Sequence, residues 1–283
     1  MKRLTLLTNP DECNLHCSLC FRNQRGHLRT YGEMPFEIAK NSIVKYASIR
    51  DAFGNRTLRE VIPSTMGEPL LYSKFEELLQ LCVDLNVKMN LTTNGTFPGK
   101  WKHASGMQVL LAVCSDIKIS TLAYELGGIA LSEWRSNVER LVALNGSATV
   151  SLQVTIHREN IDQVETILHW AESVGVSRIK WNPAIFLKGA PRFLRERFEV
   201  DAAKFENLRQ EFCNGRLLSR KLKNEGSLFF ERGADLCPVG GKCDACPFDD
   251  EVWVWPDGHE DHCPNPERRW GENSANSCLQ NRM

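Results

Sequence analysis

No apolar run in this sequence reaches the roughly 18 residues from which a membrane span is read. The opening stretch, Met1-Lys2-Arg3-Leu4-Thr5-Leu6-Leu7-Thr8-Asn9-Pro10, is too briefly apolar for a signal peptide. Net charge is missing as well: 35 Lys and Arg stand against 35 Asp and Glu. A zero sum excludes a protein that works mainly by bulk attraction to nucleic acid or to an anionic membrane, and leaves only local patches. There is no internal repeat with a period of about 20 to 50 residues, and no low-complexity segment beyond the polar tail after Gly271. A chain of 283 residues buries a substantial core without disulfides. The expected compartment is the cytoplasm, with no membrane association and no bulk nucleic-acid binding.

What the chain does have is cysteine, eleven in all. Reducing conditions keep cytoplasmic thiols free, so clustered ones read as metal or iron-sulfur ligands. Cys13, Cys17 and Cys20 group near the start, and Cys237, Cys243, Cys246 and Cys263 near the end. Cys82 and Cys114 lie within apolar runs and read as small buried hydrophobes.

Between the groups, β-like and helical patterns alternate. Arg3–Thr8, Arg59–Pro63, Val87–Thr92, Ile117–Ser120, Val150–Ile156 and Arg178–Trp181 read as strands. Helical spacing covers Phe36, Ala39, Ile43, Val44 and Ala47, then Phe75–Leu85, Ser132–Leu144 and Ile161–Val174. Six such βα units imply parallel strands wrapped by helices. Working groups in that arrangement sit on loops at the C-terminal ends of strands. There stand the first three cysteines, Gly67-Glu68-Pro69, Asn94, Ser120 and the loop from His157 to Asn160, in strand order. Residues 178–232 hold 13 basic and 7 acidic residues and 233–283 hold 4 and 10, so the zero total is a cancellation, and a break near 232 fits a small C-terminal unit. Arg192, Arg195, Arg197, Arg209, Arg216 and Arg220 form either a solvated helix face or a patch for an acidic substrate or partner.

The spacing Cys13-x3-Cys17-x2-Cys20 puts three thiolates on one short loop, able to hold three corners of a cubane and leave the fourth iron open. A structural zinc needs four closed ligands, and His16 is the only further candidate nearby. At these residues the chain resembles the radical S-adenosylmethionine (SAM) superfamily, whose members carry CxxxCxxC after the first strand; the resemblance spans roughly residues 3–183. It implies a partial (β/α)6 TIM-like barrel, a SAM-binding 4Fe-4S cluster, and cleavage of SAM to a 5′-deoxyadenosyl radical that abstracts a substrate hydrogen. Met66-Gly67-Glu68-Pro69 stands where the family has its GGEP segment for the SAM amino group, with Met66 in place of the first glycine. The resemblance further implies cofactor contacts from Asn94, from Ser120 toward the ribose and from Phe21 near the adenine; Leu122 replaces a common aspartate, and Leu19 stands where an aromatic is common.

The second group, Cys237-x5-Cys243-x2-Cys246-x16-Cys263, includes Cys246-x11-Gly258-x4-Cys263. That element resembles the SPASM and shorter twitch extensions of radical SAM enzymes, which implies one auxiliary 4Fe-4S cluster; four thiols with one CxxC also suit a structural zinc. Asp257-Gly258 marks a hairpin turn after Val252-Trp253-Val254-Trp255. The expected organisation is a barrel over 1–183, a largely helical segment over 184–232 and an auxiliary-cluster module over 233–283.

With an electron acceptor at hand, the expected reaction is a net oxidation, either of a small molecule or as a cross-link or thioether on a ribosomal peptide, fed by a donor such as flavodoxin or ferredoxin. A redox-neutral epimerisation needs a thiol hydrogen donor instead, for which Cys213 and Cys278 are the unassigned candidates. Only about two residues precede the first strand, so no peptide-binding domain is expected ahead of the barrel. The alternative from another class is a non-catalytic zinc protein on a degenerate barrel.

Overall fold

In the computed structural model, residues 3–24, 31–64, 66–215, 223–226 and 251–262 are described. Their strands are β1 (Arg3–Leu6), β2 (Glu60–Pro63), β3 (Lys88–Thr93), β4 (Cys114–Ser120), β5 (Thr149–Ile156), β6 (Arg178–Pro183), β7 (Lys223–Gly226), β8 (Glu251–Val254) and β9 (Glu260–Asp261). They form one sheet in the order β7-β6-β5-β4-β3-β2-β1-β8-β9. Every pairing is parallel except that of β8 with β9. The six expected strands are present in the expected order, and β7 and β8 extend the parallel sheet at its two ends.

Strand alternation sorts the side chains onto two faces. Leu4, Leu6, Val61, Leu91, Ile117, Ile119, Leu152, Val154, Ile179 and Trp181 point to the outer face and join the main apolar core. Helices cover them: α2 (Phe36–Ser48), α3 (Phe75–Asp84), α4 (Ala104–Val113), α6 (Leu131–Ala143), α7 (Val164–Val174) and α9 (Ala202–Cys213). The helices bury one stripe each, as in α7, where Val164, Ile167, Leu168 and Ala171 are buried and Gly175 ends the helix at φ 89°. Cys82 and Cys114 lie within this core, as their apolar settings imply. Val44, expected on the buried face of α2, is exposed; Tyr46 takes a core place instead.

The other face is polar. Arg3, Glu60, Asn90, Asp116, Lys118, Ser151, Arg178 and Lys180 alternate with the core residues and so project away from the helices. Arg178 on β6 pairs with Asp116 on β4, passing over β5, and Ser115 on β4 reaches Glu60 on β2. Past the strand ends, Leu187 from beyond β6 packs with Leu7, Met66, Trp253 and Trp255 beside β1 and β8. A flat sheet would hold β6 and β1 far apart, so these contacts require the sheet to curl around its polar face.

The hairpin read from Asp257-Gly258 forms: Trp253 pairs with Asp261 and Val254 with Glu260. Its first strand also pairs with β1 in parallel, Arg3 opposite Glu251 and Leu6 opposite Val254, so residues 251–262 extend the barrel sheet. Val252 and Val254 supply core residues there, which anchors the hairpin to β1 rather than leaving it to a separate unit. The 184–232 segment contributes the short α8 (Arg192–Phe198) and α9, followed by β7. Its arginines are occupied: Arg192 pairs with Glu196 at 2.6 Å, Arg197 with Glu159 at 2.6 Å and Arg209 with Glu206 at 2.7 Å. Arg195 donates to the carbonyls of Phe186 and Leu187 at 3.1 and 3.2 Å. These four read as a solvated face rather than an acid-binding patch; Arg216 and Arg220 lie outside the described residues. Among the described residues no helix is long and apolar enough to cross a membrane.

Candidate active site

The chain leaving β1 at the C-terminal rim becomes a loop tied down on both sides. Asn9 donates through Nδ2 to the Glu68 carbonyl at 2.7 Å, and the Glu68 amide donates to the Glu12 carbonyl at 2.8 Å. Gly67 lies between them at φ 79°, and a Cβ there would stand 2.1 Å from the Asn9 carbonyl oxygen and 2.6 Å from that of Glu12. Only glycine permits this close approach. The cysteine loop is therefore held against the strand-two loop by backbone alone.

Cys13 follows at once. Its Sγ accepts from the Leu15 amide at 3.4 Å and from Asn94 Nδ2 at 3.6 Å. The same Asn94 Nδ2 reaches Asn14 Oδ1 at 2.9 Å, so the end of β3 grips the first cysteine from two sides. Cys17 and Cys20 are joined through the Cys20 amide and the Cys17 carbonyl at 3.0 Å. Helix α1 (Phe21–Gln24) starts directly after Cys20, and Gln24 Nε2 donates to the carbonyls of Leu19 and Ile185, both at 2.9 Å. Its Oε1 accepts from the Leu187 amide at 2.8 Å, which carries the segment after β6 across to the cysteine loop.

All three thiols are part-buried. Burial pushes the Cys17 thiol up to about 12, with Cys20 and Cys13 adding to the rise; burial also raises Cys13, against the lowering effect of its Leu15 and Asn94 hydrogen bonds. Three sulfurs close enough to oppose one another's ionisation need a cation to become thiolates together. Among the described residues no three His, Cys, Asp or Glu side chains gather tightly enough to ligate a single ion. A cubane binds its thiolates at separate corners, and N–H donors to the sulfurs are what such a cluster uses. Gly127, after α5 (Leu122–Leu126), adds room: a Cβ there would stand 2.7 Å from Cys17 Sγ. The donor set and the cradle fit an iron-sulfur cluster.

Glu68 is the buried hub of the rim. Its carboxylate accepts from Thr93 Oγ1 and the Asn94 amide, each at 2.8 Å, and from the Leu70 amide at 3.3 Å. Burial pushes its carboxyl up to about 7 against those three hydrogen bonds. The Glu68 side chain thus faces the end of β3, and its backbone faces the cysteine loop. Pro69 opens a short 3-10 turn, and Met66, in the place of a glycine, is buried beside Leu7, Trp253 and Trp255. Phe21 packs against that same apolar group, and Ser120 ends β4 opposite Gln153.

Beside Cys17 stands a second polar group that sequence reading located only in part. His157 Nε2 lies 3.4 Å from Glu125 Oε2, Asn160 Nδ2 donates to Glu125 Oε1 at 3.0 Å, and the Thr121 hydroxyl donates to Oε2 at 3.2 Å. His157 and Asn160 were legible as strand-end loop residues. Glu125 and Gly127 were not, because nothing in the spacing of a four-residue turn says that it folds back onto a cysteine.

Cys213, a candidate hydrogen donor, is not at this rim. It is exposed at the C-terminal end of α9, which returns the chain toward the start of β7, where Lys223 pairs with Arg178 at the N-terminal end of β6. A helix joining parallel strands must end at the edge opposite the one where it began, so Cys213 faces away from the cysteine trio. Cys278, like Cys237, Cys243, Cys246 and Cys263, lies outside the described residues.

The profile of the Radical SAM superfamily matches residues 10–171, which holds the cysteine loop and five of the parallel strands' C-terminal ends. This chain belongs to the radical SAM superfamily. Membership implies a 4Fe-4S cluster and SAM. PqqA peptide cyclase of Methylobacterium nodulans is 26% identical over 181 residues, 59% of this chain and 43% of that protein. Streptococcus suis SuiB superimposes with a TM-score of 0.68 at 16% identity, over 96% of this chain and 61% of SuiB. SuiB is also known bound to its precursor peptide SuiA. The structure of anSMEcpe with AdoMet and a Kp18Cys peptide gives a TM-score of 0.62 at 16% identity, over 93% of this chain and 74% of that one. The shared feature is the radical SAM fold. The chain spans less than two thirds of the length of PqqA peptide cyclase and of SuiB.

Proposed function

We propose that this radical SAM protein modifies a ribosomally made peptide by a net oxidation. The observation that carries the reading is the convergence of the Cys13, Cys17 and Cys20 thiols on one rim, with hydrogen-bond donors to Cys13 and a glycine beside Cys17. When bound, the cluster and SAM together supply reductive cleavage of the sulfonium and a 5′-deoxyadenosyl radical that takes a hydrogen from substrate.

The chain's own residues do the holding. Cys13, Cys17 and Cys20 ligate three irons. Backbone groups of Gly67, Glu68 and Pro69 receive the SAM amino group, Ser120 the ribose, and Phe21 flanks the adenine, with Asn94 fixing Cys13 from the side. Leu7, Met66, Trp253, Trp255 and Leu187 close an apolar wall beside Phe21 and keep water from it.

A peptide substrate is favoured by the kinds of protein this chain is similar to: a peptide cyclase, and two proteins solved with peptides bound. In the same reading Cys237, Cys243, Cys246 and Cys263 hold one auxiliary 4Fe-4S cluster of the twitch kind, which accepts the electron released by the substrate. That makes the enzyme an oxidoreductase of the cytoplasm, supplied by a flavodoxin- or ferredoxin-type donor. Oxidation is preferred to epimerisation because Cys213 lies away from the rim.

Anaerobic reconstitution is expected to give about 8 irons per chain, the content of two cubanes, and 5′-deoxyadenosine on reduction. The triple variant C13A/C17A/C20A is expected to keep half the iron and produce no 5′-deoxyadenosine. Undiminished cleavage in that variant overturns the assignment.

A further inference from the structure

The polar face inside the curled sheet holds more charge than the cysteine rim uses. At its floor the charges are paired off. Asp116 is bonded by Arg178 and by the Ser151 hydroxyl at 2.6 Å, and Arg3 holds Glu60 at 2.7 Å and Glu251 at 3.0 Å. Lys118, next on β4, stands only at the edge of this network, its Nζ 3.9 Å from Asp116 Oδ2. Its side chain is 20% exposed, so it opens onto the interior space. Lys180 shares that face two strands away, and the inward alternation continues from it to Asn182, toward the rim. Asn182 Nδ2 is buried with no hydrogen-bond partner, as is Thr5 Oγ1 on the same inner face.

Two ammonium groups with no acid beyond them on the inner face of β4–β6, and an orphaned amide donor one step nearer the reaction rim, describe a seat for an anion. Burial lowers the Lys118 pKa, and Lys180 adds to that drop while Asp116 opposes it, the signature of a cation whose charge is incompletely met. A buried donor without a partner costs free energy, which a bound acceptor recovers.

We propose that Lys118, Lys180 and Asn182 form a carboxylate subsite that seats an acidic group of the substrate beneath the SAM-binding rim. The inference rests on the peptide reading above and names the chemistry the peptide must present there: a carboxylate, from an acidic side chain or from a chain terminus. It sets register, because a carboxylate anchored at mid-strand places neighbouring residues of the peptide toward the rim.

The test is equilibrium binding to the full-length protein, followed by NMR, which needs no SAM cleavage and so stands or falls apart from the activity. The probes are N-acetylglutamate N-methylamide, its neutral glutamine counterpart, and N-acetylalanine with a free carboxylate. A carboxylate probe is expected to bind about tenfold more tightly than the glutamine probe. Stronger binding of the glutamate probe assigns a side chain, and stronger binding of N-acetylalanine a terminus. K118M and K180M are expected to abolish the preference, K118R to retain it, and N182A to reduce it about threefold. R192A, which alters an exposed arginine on α8, is expected to change nothing, and circular dichroism checks the fold of each variant. Equal binding of the glutamine probe, a preference that survives K118M/K180M, or complete displacement of the probe by SAM overturns the proposal.

Discussion

Asn94 donates through Nδ2 to Cys13 Sγ at 3.6 Å while its Oδ1 accepts from the Thr96 amide and hydroxyl at 2.9 and 2.7 Å. The Thr96 bonds fix which end of the amide faces the sulfur, so Asn94 delivers an N–H and not an oxygen. Its bond to Asn14 at 2.9 Å holds the loop at the same time. In N94A the Cys13 thiol loses one of the two donors that lower its pKa, leaving burial less opposed. Iodoacetamide labelling of Cys13 in the iron-free protein is expected to slow by about threefold at fixed pH. An unchanged rate removes Asn94 as a positioning residue of the cluster loop.

Gly67 tolerates no side chain. Its φ of 79° and the 2.1 Å that would separate a Cβ from the Asn9 carbonyl oxygen force G67A to move the cysteine loop, the strand-two loop, or both. The expected cost is about 3 kcal/mol of stability, from backbone strain plus overpacking. Urea denaturation of the iron-free protein measures it, and a cost below about 1 kcal/mol contradicts the contact.

Glu68 makes the stability of the rim depend on pH. Unfolded, its carboxyl has an ordinary value of 4.5; folded, burial raises it to about 7. Between those values the unfolded chain has released the proton and the folded chain keeps it, so stability falls as pH rises through that window. The drop is on the order of 3 kcal/mol and is complete above the folded value. E68Q, neutral at every pH, is expected to flatten this part of the profile in urea melts at pH 5 and pH 7.5. A profile as steep as that of the unaltered protein assigns the slope to other groups.

Asp116 is buried and shared by Arg178, Ser151 and Lys118. D116N removes the negative charge and leaves two cations facing each other across β5. A loss of about 3 kcal/mol is expected, because one partner of a buried pair is left uncompensated. Adding K118M to D116N is expected to restore part of it, and strict additivity of the two changes in a double-mutant cycle argues against coupling.

The cysteine spacing, the βα alternation and the Asp257-Gly258 turn were all legible in the sequence, because each is a local pattern: ligand reach along one loop, side-chain period and turn chemistry. They fixed the strand order from β1 to β6 and the rim on which Cys13, Cys17, Cys20, Gly67, Glu68, Asn94 and Ser120 gather. Tertiary structure alone decided the rest. It turned the Glu68 side chain inward onto Thr93 and Asn94, brought Glu125 and Gly127 to Cys17, sent Cys213 to the opposite edge, and joined the 251–262 hairpin to β1. The physical reason is the same in each case. A period says which face a residue takes within its own strand or helix, whereas contacts between residues far apart in the chain arise only once the sheet has curled and its loops have packed across the rim.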